Sequence, residues 1–168
     1  DAENRLLPDH DIVVFDEAHH LEDVATNVFG MEFDSRRIPR FVERLRRQRN
    51  LELTGERLIA LEKLNEDLFG AFAPNRQEFF FSDALPNGGE ENLQATARQI
   101  DAVLEGLATE LQKCAKDQEG TAAEFVTGLA EATGMLREEL SRLVFDETDG
   151  YIRWGAVENR TAGRSAWS

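Results

Sequence analysis

Two adjacent carboxylates, Asp16 and Glu17, follow directly on the apolar run Ile12-Val13-Val14-Phe15, with His19 and His20 just beyond Ala18. A short, continuous, β-branched run fits a strand buried on both faces of a parallel sheet. In open α/β sheets, ligands sit just past the carboxyl ends of such strands. An acid pair at that place supplies what nucleoside triphosphate hydrolysis requires, namely one carboxylate near Mg2+ and one group to position the attacking water. On this reading Asp16 holds the magnesium through a water molecule, and Glu17 orients or activates the water that attacks. The plainer reading is a polar strand end entering a loop. Asp16, Glu17, His19 and His20 are also potential zinc ligands. Neighbouring residues on a strand end point apart, however, and no distant His or Cys cluster completes a tetrahedral set, so zinc is not expected.

A second group of charged residues runs against the chain's overall charge. The formal net charge is −14, from 33 acids and 19 bases, and alone this argues against a phosphate-binding surface. Residues 36–49 nevertheless hold seven arginines and a single acid, Glu43, so the segment is +6 and the rest of the chain carries −20. Arg36, Arg40, Arg44 and Arg47 recur at helical spacing, opposite Ile38, Phe41, Val42 and Leu45. One reading is a phosphate-contacting edge along a path for single-stranded DNA. The other, which is preferred, is a solvated face paired with acids on a neighbouring helix. The run Phe79-Phe80-Phe81 is expected in the core rather than as a base-stacking platform, because strand alternation buries part of it.

These residues need elements to position them. Residues 6–11 read as a turn before the apolar strand, and residues 21–29 as a short helix ended at Gly30. Four helical patterns follow. The first carries Ile38, Phe41, Val42 and Leu45, with Ser35 as N-cap and Pro39 in the first turn. The second runs from Thr54 through Leu58, Leu61, Leu68, Phe69 and Phe72 to Pro74. The third steps through Leu93, Ala97, Ile100, Leu104, Leu107, Leu111 and Cys114. The fourth steps through Phe125, Leu129, Ala132, Leu136, Leu140 and Leu143, with Thr121 and Glu124 as a capping box. Pro86-Asn87-Gly88-Gly89 is a loop. Strand patterns occur at residues 78–81, 151–154 and 165–167, the last two joined by a hairpin loop at residues 159–163. The expected fold is mainly α with α+β character: an antiparallel bundle of about four long helices with a small antiparallel sheet, preceded by one N-terminal strand.

At 168 residues and 41% hydrophobic content the chain can bury a core without a disulfide or metal staple. Its one cysteine, Cys114, lies on an apolar helical step and excludes an intramolecular disulfide. No apolar run of membrane-spanning length and no signal peptide is present in the sequence, so a cytoplasmic setting is expected. The opening at Asp1 and the strand pattern at the close are those expected of a segment cut from a longer polypeptide.

The string Asp16-Glu17-Ala18-His19 resembles the DEAH form of the Walker B motif in superfamily 2 helicases. The longer string IVVFDEAHHLED, residues 12–23, is similar to the XPD/DinG branch of DNA helicases. In that branch a long, mostly helical insertion called the Arch follows the DEAH box, and the chain then returns to the motor domain. The same order is legible here, with Tyr151-Ile152-Arg153-Trp154 resembling the return. The resemblance implies that residues 1–20 belong to motor domain 1, residues 21–35 are a connector, and residues 36–168 form an Arch-type insertion. It implies that Asp16 and Glu17 serve ATP and Mg2+, and that His19 couples the nucleotide site to other motor motifs and to DNA. The implied partners are single-stranded or forked DNA and the remaining motor domains, in DNA repair.

A working motor also needs a phosphate-cradling loop of the type G-x-x-x-x-G-K-[ST], which this sequence lacks. The family's iron–sulfur cysteines precede the DEAH box, so any cluster belongs outside this segment. The segment alone is therefore expected neither to hydrolyse ATP nor to bind it tightly, and to hold no cofactor. A strand deprived of its sheet is expected to behave abnormally, through disorder, packing on the bundle, or self-association with another copy. Two competing readings stand beside the helicase one: an acidic helical protein-interaction module with no catalytic role, and an acidic mimic of DNA charge.

Overall fold

The computed structural model describes residues 12, 14, 16, 18, 30–48, 51, 55–146, 152–158 and 166–167. It divides into two units, Asp1–Met31 and Glu32–Ser168, and all the helices and strands described below lie in the second. The expected turn at residues 6–11, helix at residues 21–29 and hairpin loop at residues 159–163 lie outside the described residues.

Helix α1 (Arg37–Arg46) buries Ile38, Phe41, Val42 and Leu45, the stripe its spacing predicts. Its start differs from expectation: Ser35 is not the N-cap. The Asp34 carboxylate accepts the Arg36 N–H at 3.0 Å, and the Asp34 carbonyl accepts the Arg37 N–H at 3.0 Å. Aspartate makes this turn well because its short side chain satisfies a backbone donor two residues on. Helix α2 (Gly55–Gly70) buries Leu58, Leu61, Leu68 and Phe69 together with one polar residue, Asn65. Asn65 Nδ2 donates to the Ser35 carbonyl at 2.8 Å, tying α2 to the approach to α1. The helix stops at Gly70 rather than Pro74, and Phe72 leaves it to pack edge-on against Phe81 at 4.7 Å between centroids.

Strand β1 (Glu78–Phe80) is followed at once by the single turn α3 (Phe81–Ala84). Phe81 thus leaves the strand pattern one residue early, while its N–H still donates to the Arg153 carbonyl at 3.2 Å. The loop at residues 86–89 is a tight turn closed by the Gly89 N–H on the Pro86 carbonyl at 2.7 Å. Gly88 takes φ 77° there, the third position of a type II turn, which a side chain resists.

Two long helices dominate the body. Helix α4 (Gly89–Lys116) has 28 residues and α5 (Gly120–Phe145) has 26, so the bundle is a long helical hairpin flanked by the shorter α2 and α1 rather than four equal helices. Leu93, Ala97, Ile100, Leu104, Leu107 and Leu111 are buried along α4 at alternating steps of four and three, the period that lets two helices share a seam. Cys114 continues the row, half-buried against the core. On α5 the seam is Val126, Leu129, Ala130, Thr133, Leu136, Leu140 and Val144. It is rotated from the expected stripe: Phe125 is exposed, and Ala132 and Leu143 lie at the margin. The buried stripe takes in Thr133, whose hydroxyl donates to the Leu129 carbonyl at 2.8 Å and so enters the core already satisfied. The expected capping box fails as well. Helix α5 opens at Gly120, behind an extended Glu119, which puts Thr121 inside the first turn, where it cannot cap.

The small sheet has order β1-β2-β3, with β2 (Trp154–Glu158) in the middle and β3 (Ala166–Trp167) at the far side. Both pairings are antiparallel, with Phe79 opposite Gly155, Phe80 opposite Trp154, and Val157 opposite Trp167. The strand expected at residues 151–154 begins only at Trp154, and the side chain of Arg153 just before it reaches into the helices. Its guanidinium donates to the Val144 carbonyl at 3.1 Å and to Glu90 at 3.4 Å, and lies over the Phe81 ring. That one side chain fastens the entry of the sheet to the end of α5 and the start of α4. The chain is mainly α with a small antiparallel sheet, in an α+β arrangement.

Candidate functional site

Of the DEAH string, Asp16 and Ala18 are described, whereas Glu17, His19 and His20 lie outside the described residues. Asp16 is exposed in a turn and Ala18 is exposed in a short 3-10 segment. Ile12 and Val14, the described members of the apolar run, are 81% and 88% exposed and belong to no strand. The buried strand expected from their side chains is therefore not formed at these two residues. Such a run is buried only by neighbouring strands and covering helices. Asp16 presents hard carboxylate oxygens, the donor type magnesium takes one or two of alongside water. No group of three or more His, Cys, Asp or Glu that could hold a metal occurs among the described residues.

The basic segment is described almost in full, and its arginines fall into two sets. Arg37 grips Glu139 of α5 through Nε at 3.0 Å and Nη2 at 2.6 Å. Arg46 grips Glu62 of α2 through two nitrogens, both at 2.7 Å. These bidentate forks clip α1 to its two neighbours, a geometry for which the planar guanidinium is suited. The hydrogen bonds to Glu139 and Glu62 raise the pKa values of Arg37 and Arg46, against a smaller opposing effect of desolvation.

The four arginines singled out in the sequence behave differently. Arg36 and Arg40 lie 3.5 and 3.4 Å from the same oxygen of Asp34. Arg47 meets Glu43 one helical turn back in its own helix. Arg44 has no carboxylate partner among the described residues, and its guanidinium lies 5.7 Å from the centroid of the Phe125 ring on α5. Among the described residues Arg40, Arg44 and Arg47 meet no acid on a neighbouring helix; the cross-helix pairs of α1 belong to Arg37 and Arg46. Arg40, Arg44 and Arg47 share one face by their spacing, and the side chains of Arg40 and Arg47 are 60% and 73% exposed.

Sequence reasoning missed Phe125 as part of this surface, because its spacing matches the core stripe of α5. The available signal was Val126 next to it, a second apolar residue able to take the seam. Phe79 and Phe81 are buried as expected, while Phe80 is exposed beside Trp154 on the outer face of the sheet. No helix among the described residues is long and apolar enough to cross a membrane. The chain matches no protein-family model, no curated protein and no solved structure.

Proposed function

We propose that this chain is the DEAH segment and helical insertion of an ATP-dependent DNA helicase, the helical body serving as a non-catalytic guide for single-stranded DNA. The observation that carries the reading is the string IVVFDEAHHLED at residues 12–23, placed ahead of a long helical body that ends in a strand. A helical hairpin that begins and ends within one small region suits an insertion between two strands of a motor domain. Here Arg153 holds the entry to β2 against the first turn of α4 and the end of α5, so the two ends of the hairpin are fastened together.

In this reading Asp16 contributes carboxylate oxygens to a hydrated magnesium, which supplies charge neutralisation on the phosphates when bound. Glu17 orients the attacking water, and His19 relays the state of the nucleotide site. The competing reading, an acidic interaction module, gives Asp16 and Glu17 no task. The deciding experiment is Glu17→Gln in the full-length protein. The helicase reading expects ATP turnover to fall by about a hundredfold or more, the scale lost with a water-positioning or general-base group, while nucleotide still binds. Unchanged turnover would refute it. Magnesium-dependent ATP hydrolysis by the 168-residue chain alone would also count against it, because the chain lacks a phosphate loop.

A further inference from the structure

The outward face of α1 together with Phe125 of α5 carries a more specific assignment. Arg37 and Arg46 are committed to bidentate clips between helices. Arg40, Arg44 and Arg47 are not. Arg40 makes a single long contact to Asp34, and Arg47 pairs with Glu43 in an exposed pair of a kind that contributes little and exchanges readily. Arg44 has no carboxylate partner among the described residues and rests on an aromatic face. Phe125 is 41% exposed, although an apolar seam lies one residue away at Val126. A solvent-facing aromatic ring under Arg44, on whose helix face Arg40 and Arg47 follow at helical spacing, combines the two contacts that hold single-stranded nucleic acid: charge along the backbone and a π face for a base.

We infer that this face binds single-stranded DNA, with Arg40 and Arg47 on phosphates and Phe125 stacking on a base beside Arg44. The identity of the strand as DNA rests on the helicase reading; the site itself rests on the arginines and the ring. The charge complementarity is local. Residues 36–49 are +6 within a chain of −14, and the acids nearest the face in sequence or contact are Asp34, Glu43 and Glu124. Along the helix axis Arg40, Arg44 and Arg47 are spaced by about 6 and 4.5 Å, within the reach of neighbouring phosphates on one strand.

The test is fluorescence anisotropy of a labelled oligothymidylate with the 168-residue chain across a series of salt concentrations, repeated with an abasic oligonucleotide of equal length. Two phosphate contacts give a log–log salt slope of about −1.4, and Arg40→Gln/Arg47→Gln should abolish most of it. Phe125→Ala should weaken oligothymidylate binding about fivefold or more with the slope unchanged, while binding to the abasic strand stays as it was. Phe125→Trp should restore the affinity. No binding at the lowest salt overturns the assignment. So does binding that neither variant alters, or a Phe125→Ala loss equal on both oligonucleotides, which would mark the ring as structural. These results are separable from the helicase reading, which stands or falls on turnover by the Glu17 variant in the full-length protein.

Discussion

Gly155 is the position where adding one carbon should do most harm. It sits opposite Phe79 in the β1–β2 ladder, and the far end of the Phe79 ring lies over it. A Cβ on residue 155 would stand 2.6, 2.9 and 3.3 Å from three atoms of that ring, well inside contact distance. The ring cannot swing aside freely, because Phe79 is buried and packs 5.9 Å from the Phe72 ring. Replacing glycine by alanine in a strand ordinarily gains about 0.5–1 kcal/mol from the unfolded chain's lost freedom. Forcing an extra carbon into a filled core costs about 1–3 kcal/mol. The second effect wins, and Gly155→Ala should lose about 1 kcal/mol net, or about 2–4 °C in Tm for a chain of this size.

The same substitution should have the opposite sign on α5. A Cβ at Gly134 meets nothing within 4 Å, so Gly134→Ala should gain about 0.8–1 kcal/mol from helix propensity alone. Urea unfolding followed by far-UV circular dichroism measures both, with an unchanged slope showing that only stability moved. Phe79→Leu supplies the second leg of a double-mutant cycle. The cost of Gly155→Ala should largely vanish in that background, giving a coupling of about 0.5–3 kcal/mol for residues in contact. If Gly155→Ala stabilises the protein as Gly134→Ala does, the packing of Phe79 over residue 155 is wrong.

Three further outcomes follow from the bundle. Leu107 is fully buried between the long helices, so Leu107→Ala should lose about 2–5 kcal/mol in the same urea titration. Asn65→Ala removes the donor to the Ser35 carbonyl and should lose about 1–3 kcal/mol, with amide exchange accelerating around residues 34–38 before the rest of the bundle. Arg137, held by Asp101 at 2.6 and 3.1 Å, has a pKa raised chiefly by that hydrogen bond. A raised pKa gives stability that is complete below the unfolded arginine value and lost only as pH climbs past the folded one. Arg137→Gln should therefore leave the pH dependence of Tm unchanged from neutrality to about pH 10.

The legible and illegible parts of this fold differ for physical reasons. Helix α4 shows its seam residue by residue because every seam position is apolar and most of its neighbours are polar or small, so period alone places Leu93 through Leu111. Helix α5 does not, since it offers two overlapping stripes, and the one that is buried includes a threonine that satisfies its own hydroxyl. Contacts distant in sequence are not legible either: Arg153, just ahead of β2, reaches the Val144 carbonyl and Glu90. The acid pair at Asp16 and Glu17 is a local string, visible without any fold. The face formed by Arg44 and Phe125 joins residues from two helices, and only the rotation of α5 brings the ring to the surface.

The chain has 16 arginines and only three lysines against 33 acids. A strongly acidic bundle repels itself, and cations between its helices oppose that repulsion. Arginine serves best where both nitrogens of the fork can meet one carboxylate, as Arg37, Arg46 and Arg137 do across three different helix pairs. Arg40, Arg44 and Arg47 do not fit this role. Among the described residues they reach no neighbouring helix's carboxylate, and the contact of Arg44 on α5 is an aromatic ring. Holding the bundle together through bidentate clips accounts for the first set; the second lies in residues 36–49, a segment where positive charge outnumbers negative.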